Sequence, residues 1–321
     1  MEIGKERQTL TRRQFLSLIT AAGLGTVLTS CGVEELSEPQ QNLRAAPTPP
    51  PGDAAYLAVA RGPDPKAMTR TAIAAVGGIE RFVRSGNDVI IKPNICVDYR
   101  SYEYGATTNP MVVAALVELC LGAGARRVRV MDLPFGGSPE RAYVNSGIAD
   151  AVKAAGGQME VMTRAKFRET EIPYGRDITS WPIYQDILTA DLVIDVPVAK
   201  HHSLARLSLG GKNLLGVVLN ANKMHSNLGQ RIADVASLVR PGLTVVDAVR
   251  TLMTRGPTGG NLDDVRLTNT VIASHDLVAA DAYAATLFDL SGEEIVYVKA
   301  AATMGLGTLD LGSVKIEEVT V

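Results

Sequence analysis

The sequence predicts an α/β protein: a mainly parallel sheet or sheets with helices on both faces, in one domain or two interlocked lobes. Three observations point there. From Ala54 onward, short β-branched runs alternate with Ala-rich helical stretches. Strand runs such as Val89-Ile90-Ile91 and Leu192-Val193-Ile194 are continuously apolar, as in strands covered on both faces. Asn109-Pro110 and Ser138-Pro139 each place a capping residue before a proline suited to a first helical turn. No period of roughly 20–50 residues repeats along the chain.

Residues 1–31 read as a targeting segment and stand outside the fold. Thr11-Arg12-Arg13-Gln14-Phe15-Leu16 fits a twin-arginine export signal, so Arg12 and Arg13 would engage the twin-arginine translocase. The apolar run Leu16 to Leu28 is shorter than the roughly 20 residues that span a bilayer. It ends at Leu28-Thr29-Ser30-Cys31, which resembles a lipobox and would make Cys31 a lipidation site. Residues 32–53 are rich in Pro, Ser, Gln and Glu and read as an extended tether. The expectation is an exported, cell-envelope protein, held on the extracytoplasmic side through a lipid anchor only.

The body, residues 54–321, is then read element by element. Strands are expected at Tyr56–Ala60, Asp88–Lys92, Arg127–Met131, Gln158–Met162, Leu192–Val196, Leu243–Val246, Thr270–Ala273 and Val314–Val319. Helices are expected at Pro65–Val83, Pro110–Leu121, Pro139–Ala155, Ile183–Thr189, Ser226–Val239 and Leu277–Leu290. Without residues 1–31 the chain has 28 Lys and Arg against 32 Asp and Glu, a formal charge of −4. That balance gives no support for a nucleic-acid partner. Cys96 and Cys120 are the two remaining cysteines, too few for a four-thiolate iron–sulfur cluster.

Ligands of open parallel sheets bind beyond the carboxyl ends of the strands. Polar residues gather at those ends: Lys92-Pro93-Asn94, Asp132, Asp195 followed by Lys200-His201-His202, and Asp247. Three of the four histidines, His201, His202 and His225, fall within 25 residues. Between them runs Gly210-Gly211-Lys212-Asn213, in which the glycines allow close backbone approach. It is not a P-loop, because Arg206 and Asn213 stand where that motif needs Gly and Ser or Thr. Histidine suits proton transfer or metal ligation, and a buried lysine suits a nucleophile or an anchor for a carbonyl-type group. Gly136-Gly137-Ser138 and Arg255-Gly256-Pro257-Thr258-Gly259-Gly260 are two further loops that either bind an anion or simply turn.

Five of these stretches resemble the domain-of-unknown-function 362 family: Ile91-Lys92-Pro93-Asn94, Thr108-Asn109-Pro110, Asp195 to His201, Gly211 to Gly216, and Ala279-Ala280-Asp281-Ala282. That resemblance spans the body and brings no reaction with it. A remote resemblance, to the core of nickel-pincer lactate racemases, runs from Ala190 through His202, Gly210-Gly211-Lys212 and His225. It implies Lys212 as tether of a nickel-pincer-type cofactor, His225 as a metal ligand and His202 as a base. The sequence departs from that pattern: Thr108-Asn109-Pro110 lacks the Arg of the racemase element, and Leu133-Pro134-Phe135 stands where a second catalytic histidine is expected. The predicted site is therefore His202, Lys212 and Lys92 as catalytic residues, and Lys212 with Gly210, Gly211 and Asn213 for a cofactor. His225 and His201 are the candidates for a divalent metal. The functions left open are an isomerase or redox enzyme of a small organic acid, a non-catalytic binder of a small anionic molecule, and a scaffold.

Overall fold

The computed structural model describes residues 50–321, so Arg12, Arg13, Cys31 and nearly all of the tether lie outside the described residues. Among the described residues no helix is long and apolar enough to cross a membrane. The fold is α/β. In the described residues twelve strands occur in the order β1 (Leu57–Arg61), β2 (Asp88–Pro93), β3 (Arg127–Val130), β4 (Gln158–Met159), β5 (Phe167–Glu171), β6 (Ser180–Tyr184), β7 (Leu192–Val196), β8 (Val198–His202), β9 (Arg206–Ser208), β10 (Leu243–Leu252), β11 (Val265–Ser274) and β12 (Ile316–Thr320). Among the described residues nine α-helices accompany them: α1 (Pro65–Ala75), α2 (Pro110–Gly122), α3 (Pro139–Asn145), α4 (Ile148–Ala154), α5 (Gln185–Thr189), α6 (Gly210–Asn213), α7 (Leu228–Val239), α8 (Leu277–Thr286) and α9 (Val296–Thr303).

Ten strands form one sheet, with the path β12-β1-β11-β10-β7-β2-β3-β4 and the β8–β9 hairpin attached to β10. The half from β10 through β7, β2 and β3 to β4 is parallel throughout. Strand alternation feeds two cores. Val89 and Ile91 face the layer that holds α1, α2 and α4, whereas Ile90 faces the opposite side with α7. Ala58 and Ala60 join the first layer, while Leu57 and Val59 join α8 and α9 on the other. The continuous apolar runs thus mean what they usually mean: both faces are covered. The two expected caps form, with Asn109 Oδ1 accepting from Met111 N at 2.9 Å and Ser138 Oγ from Arg141 N at 3.4 Å.

Differences from expectation have local causes. The expected helix Pro65–Val83 stops at Ala75, because Gly77 and Gly78 take φ of 102° and 81°. The expected helix Pro139–Ala155 divides at Gly147, φ 78°, into α3 and α4. Ile183 and Tyr184, expected as helix, belong to the β5–β6 hairpin, whose alternating charges hide its strand period. The β10–β11 hairpin runs ten residues on each side, well past its apolar centre. The β8–β9 hairpin and α9 were not expected.

Ile194 sits in β7 at the middle of the sheet with 0% exposure. Ile194→Ala should lower stability by about 2–5 kcal/mol, read as a shift in the denaturant midpoint at unchanged slope.

Candidate functional site

Polar groups at the carboxyl ends of β2, β3 and β7 are bonded to each other and to α6. Lys92, 0% exposed at the end of β2, donates from Nζ to Asp132 Oδ1 at 2.6 Å, Asn213 Oδ1 at 2.9 Å and Pro93 O at 2.9 Å. Asn213 returns two bonds from Nδ2, to Asp195 Oδ1 at 2.8 Å and Lys92 O at 3.1 Å. Asn94 Nδ2 reaches Asn213 Oδ1 at 3.0 Å, and Ile95 N donates to Asp132 Oδ2 at 2.6 Å. A Cβ on Gly216 would lie 2.6 Å from Lys92 Nζ and collide with Asp132, so glycine is required at that approach. Burial pushes the Asp132 carboxyl up against the pull of Lys92. Burial raises Asp195 further, and its Oδ2 has no hydrogen-bond partner.

Asp281, from the Ala-rich helix α8, supplies the second polar support. Its carboxylate accepts from Gly210 N at 2.7 Å and Gly211 N at 2.8 Å. Burial pushes its pKa up to about 7, although both backbone bonds oppose the shift. A Cβ on Gly210 would lie 2.8 Å from Asp281 Oδ1, 3.0 Å from Asp195 Oδ2 and 2.5 Å from Leu277 Cδ1. The glycine is therefore wedged between two buried carboxyl groups, and Lys212 follows two residues later.

β8 carries the histidine–lysine segment. Lys200 is 1% exposed and donates to Ala106 O at 2.6 Å and Asn94 Oδ1 at 2.9 Å. His202 Nδ1 accepts from Leu204 N at 3.1 Å and Ala205 N at 3.2 Å, and His201 Nδ1 accepts from Gly256 N at 3.1 Å. A nitrogen that accepts carries no proton, so both neutral imidazoles hold theirs on Nε2. Burial first, then the charges of Lys212, Lys200, His225 and His201, push the His202 pKa down to about 3. Burial, Lys200 and Lys92 push half-buried Lys212 down to about 8. The segment thus brings Lys200, Lys212 and His225 within electrostatic reach of His202, with His225 exposed.

Other predicted residues have partners already. Lys92 has all three N–H donors engaged and ties strand ends together, so it does not reach a ligand. Gly210 and Gly211 spend their N–H groups on Asp281, and Asn213 is saturated by Lys92, Asn94 and Asp195. In the Gly136-Gly137-Ser138 loop, Asp98 accepts from Ser138 N at 3.0 Å and from Arg141, filling the anion position with the protein's own carboxylate. Gly256 gives its N–H to His201. Sequence points to Asp281 only within the family stretch 279–282, and not at all to the Asn94–Lys200 contact, although one Asp inside the run Leu277-Val278-Ala279-Ala280-Asp281-Ala282 is itself a signal of a buried polar role.

The residues present fit a protein-held metal poorly. Among the described residues no group of three His, Cys, Asp or Glu stands ready to hold one, and His201 and His202 turn N–H groups outward. Ligating histidines instead donate from the other nitrogen to a neighbouring oxygen. The half-buried amine of Lys212 does fit a covalent tether.

His202 should stay neutral between about pH 5 and 8, where an ordinary histidine titrates. Nitrogen NMR should show an Nε2–H tautomer with no titration step in that range. Asp281 has a folded pKa above its unfolded value, so its stabilising contribution is full below about pH 4 and is lost as pH rises through about 7. Asp281→Asn should shrink the fall in denaturant midpoint between about pH 4 and pH 8, the window those two pKa values set.

A thylakoid-associated protein of Synechocystis sp. is 27% identical over 252 residues, which cover 75% of this chain and 75% of that protein. The lactate racemase apoprotein of Thermoanaerobacterium thermosaccharolyticum is a weak structural match, with a TM-score of 0.44 and 11% identity. The match covers 76% of this chain and 56% of that one. The family model described as domain of unknown function, DUF362, matches residues 89–286, more than half of the chain, and the chain belongs to that family.

Proposed function

We propose that the edge formed by Lys200, His201, His202 and Lys212 binds a small organic acid, and that Lys212 acts on it as an amine nucleophile. One observation carries this reading. Lys200 and Lys212 stand within electrostatic reach of each other with no carboxylate hydrogen-bonded to either, beside imidazoles that present N–H groups. With its pKa near 8, Lys212 has a sizeable free-amine fraction at neutral pH, unlike an ordinary lysine. The free amine forms a bond from Nζ to a carbonyl carbon. The carbonyl oxygen takes up protons and leaves as water, giving an imine. His202, neutral and locked as a donor, supports a carbonyl or carboxylate oxygen by hydrogen bonding rather than by accepting a proton. If the lysine instead anchors a cofactor, that group supplies the electron sink and the same donors orient the acid.

A second reading, a binder without chemistry, draws on the same locked donors, since they hold an anion but abstract nothing. Incubation with pyruvate and borohydride separates the two. The enzyme reading expects a mass increase on the peptide containing Lys212, with a rate that rises through about pH 8. Labelling should be absent in Lys212→Arg. Carboxylate-induced thermal stabilisation without labelling would leave only the binder.

Export through Arg12 and Arg13 with a lipid on Cys31 is part of the same proposal. It is supported by the order of arginines, apolar run and lipobox. Metabolic labelling with a fatty acid should mark the wild-type chain and not Cys31→Ala. An unlabelled wild-type chain would remove the anchor.

A further inference from the structure

We infer a second binding site, for a short-chain aliphatic carboxylate, in a cavity between the ends of α7 and α9 and the start of α8. It goes beyond the reading above, since none of Lys200, His202 and Lys212 lines it. The cavity holds about 70 Å³. One water needs roughly 10–15 Å³ on that measure, so a chain of a few carbons has room. Ala236, Leu277 and Leu306 give it apolar walls, and Arg240 and His275 are the polar side chains of its lining. Both line one space, so a single ligand meets both.

Arg240 supplies the charge. Its Nε donates to Ser237 O at 2.9 Å, its guanidinium carbon lies 5.5 Å from the Tyr174 ring centroid, and no carboxylate among the described residues is paired with it. It caps α7 in the left-handed region, φ 42°, where a helix end ordinarily takes glycine. His275 supplies a hydrogen bond. It is 4% exposed, and its Nδ1 has no hydrogen-bond partner. A buried polar atom left bare is costly, so a ligand that reaches it gains more than an ordinary hydrogen bond. Burial first, then Arg81, pushes the His275 pKa down to about 4 against the pull of Asp276 and the Tyr56 backbone, so the ring is neutral at physiological pH. A neutral imidazole that carries its proton on Nδ1 donates it to a carboxylate oxygen. The acid that bears on His275 is already engaged: Asp276 accepts from Ala279 N at 2.9 Å, Tyr56 Oη at 2.5 Å and Thr308 N at 2.8 Å. The space therefore offers one unpaired cation, one bare imidazole nitrogen and hydrocarbon walls. A carboxylate with a short chain matches all three, whereas phosphate leaves the walls uncovered and an alcohol leaves Arg240 unpaired.

Imidazole NMR of the full chain at neutral pH, titrated with butyrate, acetate, butanol and inorganic phosphate, tests this. With four histidines in the sequence, the His275 signals are assigned by comparison with His275→Gln. Butyrate should shift them saturably, and to the same extent in Lys212→Ala, which removes the other proposed site. Its two further buried methylenes should make butyrate bind about tenfold tighter than acetate. Butanol and phosphate should each bind at least about tenfold more weakly than butyrate. Arg240→Gln should bring a similar loss of butyrate affinity, and Arg240→Lys should restore part of it. If Arg240→Gln does not fold, the wild-type order of the ligands decides alone. No saturable shift at His275 with butyrate would overturn the site, as would unchanged affinity in Arg240→Gln or phosphate binding more tightly than butyrate. Shifts confined to His201 and His202 would overturn it too and leave the Lys212 reading standing.

Discussion

The ion pair between Lys92 and Asp132 is the constraint on which the rest of the edge depends. Two charges withdrawn from water are tolerable only when every remaining donor and acceptor is matched. Here Pro93 O and Asn213 Oδ1 complete the ammonium, and Ile95 N completes the carboxylate. Because Asn213 belongs to α6, satisfying Lys92 also fixes the short helix that presents Lys212. Because Asn213 also reaches Asp195, the end of β7 is drawn into the same bonded set. The ends of β2, β3 and β7 are therefore held by one polar network rather than by three separate turns. Removing either partner would leave a charge stranded in the core, which is far costlier than never having placed one there.

A pattern recurs around this network: glycine-rich backbone that looks made for an outside anion holds one of the protein's own carboxylates. Gly210 and Gly211 hold Asp281, and the loop ending at Ser138 holds Asp98. The N–H groups are doing what such turns do, with a ligand that is internal. Asp281 gains no cation in exchange, so burial dominates and its carboxyl titrates near neutrality. What is left without a carboxylate bonded to it is cationic and donor-rich: buried Lys200, half-buried Lys212 and two imidazole N–H groups.

The sheet was legible where apolar runs were uninterrupted. β2 and β7 stand where Val89-Ile90-Ile91 and Leu192-Val193-Ile194 put them, because covering both faces leaves little room for polar positions, and in β3 buried Arg129 is kept by its pairing with Asp88, Glu160 and Asp186. Legibility failed wherever strand residues were recruited for chemistry or charge. β8 holds Lys200, His201 and His202, so its polar residues read as a loop. β5 carries Arg168 and Glu169 on exposed positions, which hid its period. For the site, sequence named Lys200, His202 and Lys212, which the structure sets within electrostatic reach of one another. It could not separate Lys92, a structural cation, from Lys212, because that distinction rests on side-chain partners 40 and 121 residues away, Asp132 and Asn213. Nor could it assign the proton on His201 or His202, which depends on backbone N–H groups of Gly256, Leu204 and Ala205.

The order of strands across the sheet also bears on how the body is made. β1 lies between β11 and β12, so the earliest described strand gains both neighbours only after residues 265–320 have been synthesised. Until then Leu57, Val59 and the backbone of β1 have no sheet to join, while the β2–β3–β7 half can already pair. Closing contacts of such long sequence separation is slow because the loop entropy must be overcome first. The parallel half can therefore pair while β1 still waits for β11 and β12, and the sheet closes when residues near 316–320 return to a strand some 260 residues earlier in the chain.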